Sequence, residues 1–224
     1  MTSGPDVRVV DDPAASCATS IARRLGAALR RSGRAALAVS GGSSAPPMFA
    51  ALAAADVPWR RVGIWQVDER CAPDGHPDRN AGQLDGLAAR GARVRPMPVT
   101  AADLAAAARR YGRALPARFD VIHLGMGDDG HTASWPPGDP VIDSAAPVAL
   151  SAPYQGRVRM TLTPPVVNAA AGRVVMLAGA AKAPALAAWL AGTPLPATGE
   201  RPPIARVRRS RTVVFTDAAA AGFA

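Results

Sequence analysis

The sequence predicts an α/β fold, a mostly parallel sheet flanked by helices, and three observations predict it. Short β-rich runs alternate with alanine-rich helical stretches almost from end to end. Several of the runs, such as 35–39 and 174–178, are apolar, as strands covered on both faces are. No internal repeat at a period of 20 to 50 residues points to a solenoid or a propeller instead.

The elements follow in order. Residues 7–10 read as a strand. Asp12 then supplies a helix N-cap with Pro13 at the first helical position, and that helix runs to about Arg31 and stops at Gly33. Residues 35–39 make a strand, followed by the turn Ser40-Gly41-Gly42-Ser43-Ser44 and a helix to about Ala55. Residues 62–67 are the next strand, ending in Asp68-Glu69-Arg70. A loop with Pro73, Gly75 and Pro77 leads to a helix near 80–90, a short strand at 94–97 and a helix over 101–115. The strand at 119–124 runs straight into Gly125-Met126-Gly127-Asp128-Asp129-Gly130-His131. Beyond it, strands are expected at 148–150, 158–162, 174–178 and 212–215, and helices at 164–170 and 182–190. The proline-rich stretch 194–203 reads as a surface loop. The whole chain, 1–224, is expected to form a single domain, with a small subsidiary lobe near the middle.

Composition bounds the function. Of 224 residues, 49% are hydrophobic, but 51 of them are Ala and only 4% of the chain is aromatic, so thin layers of Ala, Val and Leu must build the core. No apolar run reaches the ~20 residues of a membrane span. The opening residues lack the basic start and apolar core of a secretory signal. Cys17 and Cys71 are too few for a disulfide framework and have no zinc-ligand spacing. These features lead to the expectation of a cytoplasmic protein with no membrane partner.

The 26 cations and 17 anions leave a net charge of +9. Yet all the cations but Lys182 are Arg, and Glu69 and Glu200 are the only glutamates, which looks like a G+C-rich coding bias. The arginines are scattered along the chain. Their densest patch, Arg206, Arg208, Arg209 and Arg211, falls in a strand-like tail, where alternation with Ile204 and Val207 reads as a solvated face. No nucleic-acid partner is expected, and an anionic small substrate remains open.

Three segments at strand carboxyl ends carry polar, glycine-rich content, where open α/β sheets keep their ligands. In Ser40-Gly41-Gly42-Ser43, two glycines let backbone N–H groups approach an anion at a helix N-terminus. An ordinary strand-to-helix turn would look similar, and the P-loop and dinucleotide patterns are both absent. Asp68-Glu69-Arg70 either marks a strand emerging into solvent or sets a carboxylate and a guanidinium at the mouth of a cleft. The third segment is the most informative, because a buried strand ending in Gly-x-Gly-x-Asp-Gly-His exceeds what a stable turn requires. Its His131, with Asp129 two residues before it, is the candidate general base, since an unperturbed imidazole titrates near ~6.5. His123 reads as a satisfied sheet histidine and His76 as a surface residue. No His or Cys pair has metal-ligand spacing, so no metal is expected.

On these residues the chain resembles the 6-phosphogluconolactonase family, which shares the fold of glucosamine-6-phosphate deaminase and ribose-5-phosphate isomerase-like proteins. Ser40–Ser43 resembles the family's phosphate loop and Asp68-Glu69-Arg70 its Asp-Glu-Arg motif. Asp78-Arg79-Asn80 stands where Asp-Ser-Asn is common. Residues 125–134 resemble its Gly-x-Gly-x-Asp-Gly-His-Thr-Ala-Ser signature, Arg159-Met160-Thr161-Leu162-Thr163 its Arg-x-Thr-x-Thr strand, and Gly179-Ala180-Ala181-Lys182 its Gly-x-x-Lys segment. The chain departs from the family at Ser44-Ala45, at Arg79 and at Trp135-Pro136, the last bearing on substrate fit.

The resemblance implies hydrolysis of 6-phospho-D-glucono-1,5-lactone to 6-phospho-D-gluconate in the oxidative pentose phosphate pathway, without a cofactor. It implies that His131 activates water, that Asp129 orients the imidazole, and that N–H groups such as those of Gly127 and Gly130 hold the oxyanion. The phosphate would be gripped by Ser40, Gly41, Gly42, Ser43, Arg159 and Lys182, with Arg70 and Asp68 lining the site. Two alternatives stay open: an aminosugar-phosphate deaminase or isomerase on the same fold, and a non-catalytic sugar-phosphate-binding protein. Thr132-Ala133-Ser134 after the histidine, in place of the deaminase's Asn-Glu, argues against the first. The sequence sets no oligomeric state, and a monomer is compatible with it.

Overall fold

The computed structural model describes residues 4–223. Among them the elements run β1 (Asp6–Val9), α1 (Pro13–Ser32), β2 (Ala35–Val39), α2 (Ala45–Ala54), β3 (Val62–Gln66), β4 (Asp68–Arg70), α3 (Asp85–Ala89) and β5 (Arg93–Arg95). They continue with α4 (Leu104–Arg113), β6 (Val121–Leu124), β7 (Val148–Leu150), β8 (Arg159–Leu162), α5 (Pro164–Ala169), β9 (Arg173–Leu177), α6 (Ala183–Ala191) and β10 (Thr212–Thr216). Seven strands form one sheet in the order β1-β10-β9-β6-β2-β3-β5, every neighbouring pair parallel. The other three, β4-β8-β7, make a small antiparallel sheet.

Local chemistry sets the helix ends. Asp12 accepts the Ala15 N–H at 2.9 Å, and Gly33, at φ 72°, closes α1 by bonding Leu29 O. A cap of this kind stabilises by about 1 kcal/mol. The buried Cys17, Ile21, Leu25 and Ala28 recur at helical spacing and lay one face of α1 on the sheet.

The large sheet is buried on both faces, so its strands alternate between two apolar layers rather than between core and water. Leu37, Val39, Val121, Val174, Met176, Val213 and Phe215 join α1, α2 and α3 in one layer. Ala38, Ile122, Leu124, Val175, Leu177 and Val214 join α4, α5, α6 and the antiparallel sheet in the other. The few large side chains anchor the second layer, where Trp135 and Trp189 are fully buried.

Several expectations are corrected. The helix near 80–90 divides into a 3₁₀ turn, Ala81–Leu84, and the short α3. Asp68-Glu69-Arg70 does not emerge into solvent: it pairs with β8 as a strand of the antiparallel sheet, and Glu69 is fully buried. The segment holding Arg206, Arg208, Arg209 and Arg211 is no strand. It is a 3₁₀ turn, Pro203–Arg206, followed by a loop, because Asn168 side-chain bonds to the Arg206 carbonyl and the Arg208 N–H hold the chain there. Its cations are engaged too, Arg206 with Asp143 and Arg209 with the Trp189 carbonyl.

Candidate active site

The strand order reverses between β2 and β6: the chain proceeds from β2 to β3 and β5 on one side, and from β6 to β9 and β10 on the other. A crevice opens at the carboxyl ends of the two strands flanking such a switch. Here those ends release Ser40–Ser44 and the histidine loop. Together with residues after β3 and β9 they enclose a cleft of about 350 Å³. Its lining includes Ser40, Gly41, Gly42, Ser43, Asp68, Arg70, Gly127, His131, Arg159 and Lys182. Residues separated by up to 142 positions, from Ser40 to Lys182, thus share one cavity.

Within the histidine loop, His131 Nδ1 lies 2.6 Å from Asp129 Oδ1, which also accepts the His131 N–H at 3.0 Å. Assigning Nδ1–H to the carboxylate leaves Nε2 unprotonated. The approach depends on Gly127: a Cβ there would stand 2.1 Å from His131 Nδ1 and 2.5 Å from Asp129 Oδ1. Burial by itself would raise the Asp129 carboxyl. Hydrogen bonds from His131 and from the Tyr154 hydroxyl outweigh it and hold the group well below the usual carboxylate range. Asp129 is therefore an anion wherever the protein is folded near neutral pH.

Tyr154 donates to Asp129 Oδ2 at 2.6 Å, and its ring stands edge-on to the His131 ring with centroids 5.4 Å apart. Burial and the neighbouring carboxylate push its phenol up, so it stays a donor. Tyr154 opens a tight turn between β7 and β8, with Gln155 and Gly156 at positive φ and reciprocal backbone bonds to Arg157. Across the turn, Arg159 lies 4.9 Å from the Tyr154 ring and donates to Gln155 Oε1 at 2.8 Å.

The rest of the cleft is built to receive charge. Strand alternation in β4 turns Asp68 and Arg70 to the cleft and Glu69 away from it. Glu69 accepts from Gln66, Arg70, Asn80 and Ala81 at 2.7 to 2.9 Å, which fixes the 80–81 segment beside the Ser40–Ser43 turn. That contact is close enough to require Gly41, where a Cβ would meet Asn80 Cγ at 2.5 Å. Among the described residues, Arg70, Arg159 and Lys182 form no ion pair. Arg159 Nε and Ser40 Oγ are buried without any hydrogen-bond partner. Unsatisfied groups of this kind are uncommon, and both residues line the cleft. Burial raises the Asp68 carboxyl, opposed by the Ser134 hydroxyl at 2.7 Å and by Arg159.

The glycine N–H groups expected at an oxyanion are committed elsewhere. Gly127 N–H donates to His131 O at 2.8 Å and Gly130 N–H to Gly127 O at 3.1 Å, so both shape the loop instead of facing a ligand. Trp135 is buried, donates Nε1–H to Leu162 O at 2.8 Å and stays out of the cleft lining.

A model of the glucosamine-6-phosphate isomerases/6-phosphogluconolactonase family matches residues 10–215, which span every segment of the cleft. The chain belongs to this family. It is 34% identical over 195 residues to a 6-phosphogluconolactonase of Synechocystis sp., covering 80% of each chain. It is 37% identical over 196 residues to that of Pseudomonas putida, covering 81% of each. The crystal structure of a 6-phosphogluconolactonase from Shewanella baltica superposes with a TM-score of 0.85 at 26% identity, over 97% of this chain and 99% of that one. A monomeric glucosamine-6-phosphate deaminase shares the fold, with a TM-score of 0.81 at 16% identity.

Among the histidines of this family member, only His131 faces the cleft. His123 is buried in β6, but it is not satisfied: both ring nitrogens lack a partner, and burial pulls its pKa down to about 4, leaving a neutral ring packed edge-on to Phe49. His76 is less exposed than its proline-flanked loop suggests, because Arg157 reaches its Nε2 at 3.1 Å. Tyr154 was invisible to motif reading. Its only sequence signal is scarcity, one of two tyrosines, next to a Gln-Gly turn.

Proposed function

We propose that the chain hydrolyses 6-phospho-D-glucono-1,5-lactone to 6-phospho-D-gluconate, the lactone step of the oxidative pentose phosphate pathway. The observation that carries this reading is a His–Asp pair sharing one cleft with Arg70, Arg159 and Lys182, none of which forms an ion pair among the described residues. The names of the relatives supply the substrate.

His131 Nε2 takes a proton from water as the water oxygen attacks C1 of the lactone. The resulting imidazolium is stabilised by Asp129, which the hydrogen bond from Tyr154 keeps anionic and oriented. The tetrahedral intermediate collapses with cleavage of the bond from C1 to the ring oxygen, which receives the proton back from Nε2. The Ser40–Ser43 turn, Arg159 and Lys182 hold the 6-phosphate, with Arg70 beside them, and Asp68 is placed to accept a sugar hydroxyl. A lactone is already an activated ester, so the scheme calls for no cofactor.

The test is hydrolysis of the lactone by purified protein, followed as acid release and corrected for the spontaneous reaction. Enzyme-dependent acid release is expected. Its absence, with ammonia release from an aminosugar phosphate in its place, would transfer the site to the deaminase reading.

A further inference from the structure

A second cavity, of about 560 Å³, lies at the opposite end of the large sheet from the cleft, under the amino-terminal ends of β2, β3 and β5. Six arginines line it: Arg34 after α1, Arg60 and Arg61 before β3, Arg93 and Arg95 on β5, and Arg118 before β6. The arginines that look scattered along the chain are thus gathered by the fold. The only carboxylate in the lining is Asp120, and it is already bound to Arg31 at 2.6 Å and to the Ala36 N–H at 2.9 Å. None of the six joins an ion pair among the described residues.

Two ordinary explanations account for part of this charge. Helix carboxyl ends gather here and attract cations, but the arginines in the last turns of α1 and α4 are Arg30, Arg31, Arg110 and Arg113. Charged side chains also guard an edge strand such as β5, which covers Arg93 and Arg95. Arg34 directly follows the Gly33 cap of α1 and the Arg60 side chain lies against Gly91 beyond the end of α3, which leaves Arg61 and Arg118, from two separate segments, outside both explanations. Like charges brought into one concavity with no counter-charge repel one another, and a multivalent anion relieves that repulsion. Beneath them the floor is apolar. Trp65 lies across Gly63, where a Cβ would meet its ring at 2.5 Å, and the Arg95 guanidinium stands 5.3 Å from the Trp65 ring.

We infer that this cavity is a binding site for a small organic polyphosphate of nucleotide size. The arginines hold two or more phosphoryl groups, and the carrier lies against the Arg95–Trp65 stack. The site is distinct from the catalytic cleft and does not depend on what the cleft catalyses.

The test is equilibrium binding of ATP, tripolyphosphate, AMP and inorganic phosphate at 0.15 M salt to wild type, to Arg60→Ser/Arg61→Ser and to Lys182→Ala. ATP and tripolyphosphate should bind at one site, at least 10-fold tighter than AMP or phosphate. The double substitution should weaken them at least 10-fold while Lys182→Ala leaves them unchanged. Circular dichroism and the thermal midpoint of the double variant show that it is folded, and Arg34→Ser/Arg118→Ser gives an independent second arm. Loss of binding in Lys182→Ala alone would place these ligands in the cleft and overturn the inference. So would equal affinity for ATP and phosphate. Lactone hydrolysis enters none of these readouts, so a failure here is separable from a failure of the proposed reaction.

Discussion

Tyr154 and His131 bind opposite oxygens of one carboxylate: the phenol donates to Asp129 Oδ2 at 2.6 Å, and the imidazole Nδ1 meets Oδ1 at the same distance. His131 is therefore braced through Asp129 from a loop that follows it by more than twenty residues, and the Tyr154 ring also packs against Arg159.

Tyr154→Phe keeps the ring and removes the donor. Turnover should fall by roughly 10-fold, the size of a lost hydrogen bond to a charged group, with KM nearly unchanged. Wild-type turnover would make Tyr154 a packing residue only.

His131→Ala should lower turnover by roughly 100-fold or more with a smaller effect on KM. The substrate phosphate has its own ionisation near ~6, so the residual reaction of this variant is the control. An acid limb that persists there unchanged belongs to the phosphate and not to the enzyme.

Lys182→Ala removes a cleft cation that touches neither His131 nor Tyr154. KM for the phosphorylated lactone should rise roughly 10-fold or more, as for a lost charge-assisted contact, while kcat changes little. Unphosphorylated gluconolactone should be a poor substrate for both proteins. If wild type treats the two lactones equally, the phosphate grip does not exist.

His123 links stability to pH. Its folded pKa of about 4 lies below the unfolded ~6.5, so the unfolded chain binds the proton more tightly between those values. Stability should be full above about pH 6.5 and decline as the pH falls toward 4, by about 3 kcal/mol from this group. Urea unfolding of wild type and His123→Leu at pH 7.5 and 4.5 checks it. Parallel losses in the two proteins would remove His123 as the cause.

Arg173, 1% exposed, donates to the carbonyls of Val167, Asn168, Ala170 and Ser210 and to the Thr212 hydroxyl, joining the end of α5 to β10. Arg173→Met would remove the donor from all five acceptors, of which those around Ala170 and Thr212 are buried, at about 1–3 kcal/mol each where water cannot replace it. A loss of at least ~3 kcal/mol in urea unfolding is expected, with lactone turnover at saturating substrate little changed below the transition. A loss under 1 kcal/mol would show that water substitutes for the guanidinium.

The parallel sheet was legible because β2, β6, β9 and β10 are buried on both faces and so read as mostly apolar runs. The histidine loop was legible because its glycines are demanded by geometry that any sequence in this position must satisfy, as at Gly127. Side-chain chemistry across long separations was not. Nothing local to Tyr154 announces Asp129, and nothing local to Glu69 announces four donors from three segments. The glycine N–H groups misled for a related reason: a glycine-rich turn shows that N–H groups are exposed to something, and here that something is the loop's own carbonyls. The strand-like reading of the 206–211 stretch failed because Asn168 overrides its alternation.

The position of β10 between β1 and β9 has a consequence for synthesis. β1 has no neighbour in the sheet until Thr212–Thr216 exists, some 200 residues later. At ~5–20 residues per second, β1 waits roughly 10 to 40 s. The β9 edge, complete only at Leu177, stays open for the last part of that interval, roughly 2 to 7 s, apolar and available to other nascent chains. Bacterial expression yield should therefore depend on translation speed and chaperone supply more than on the final stability of the folded protein.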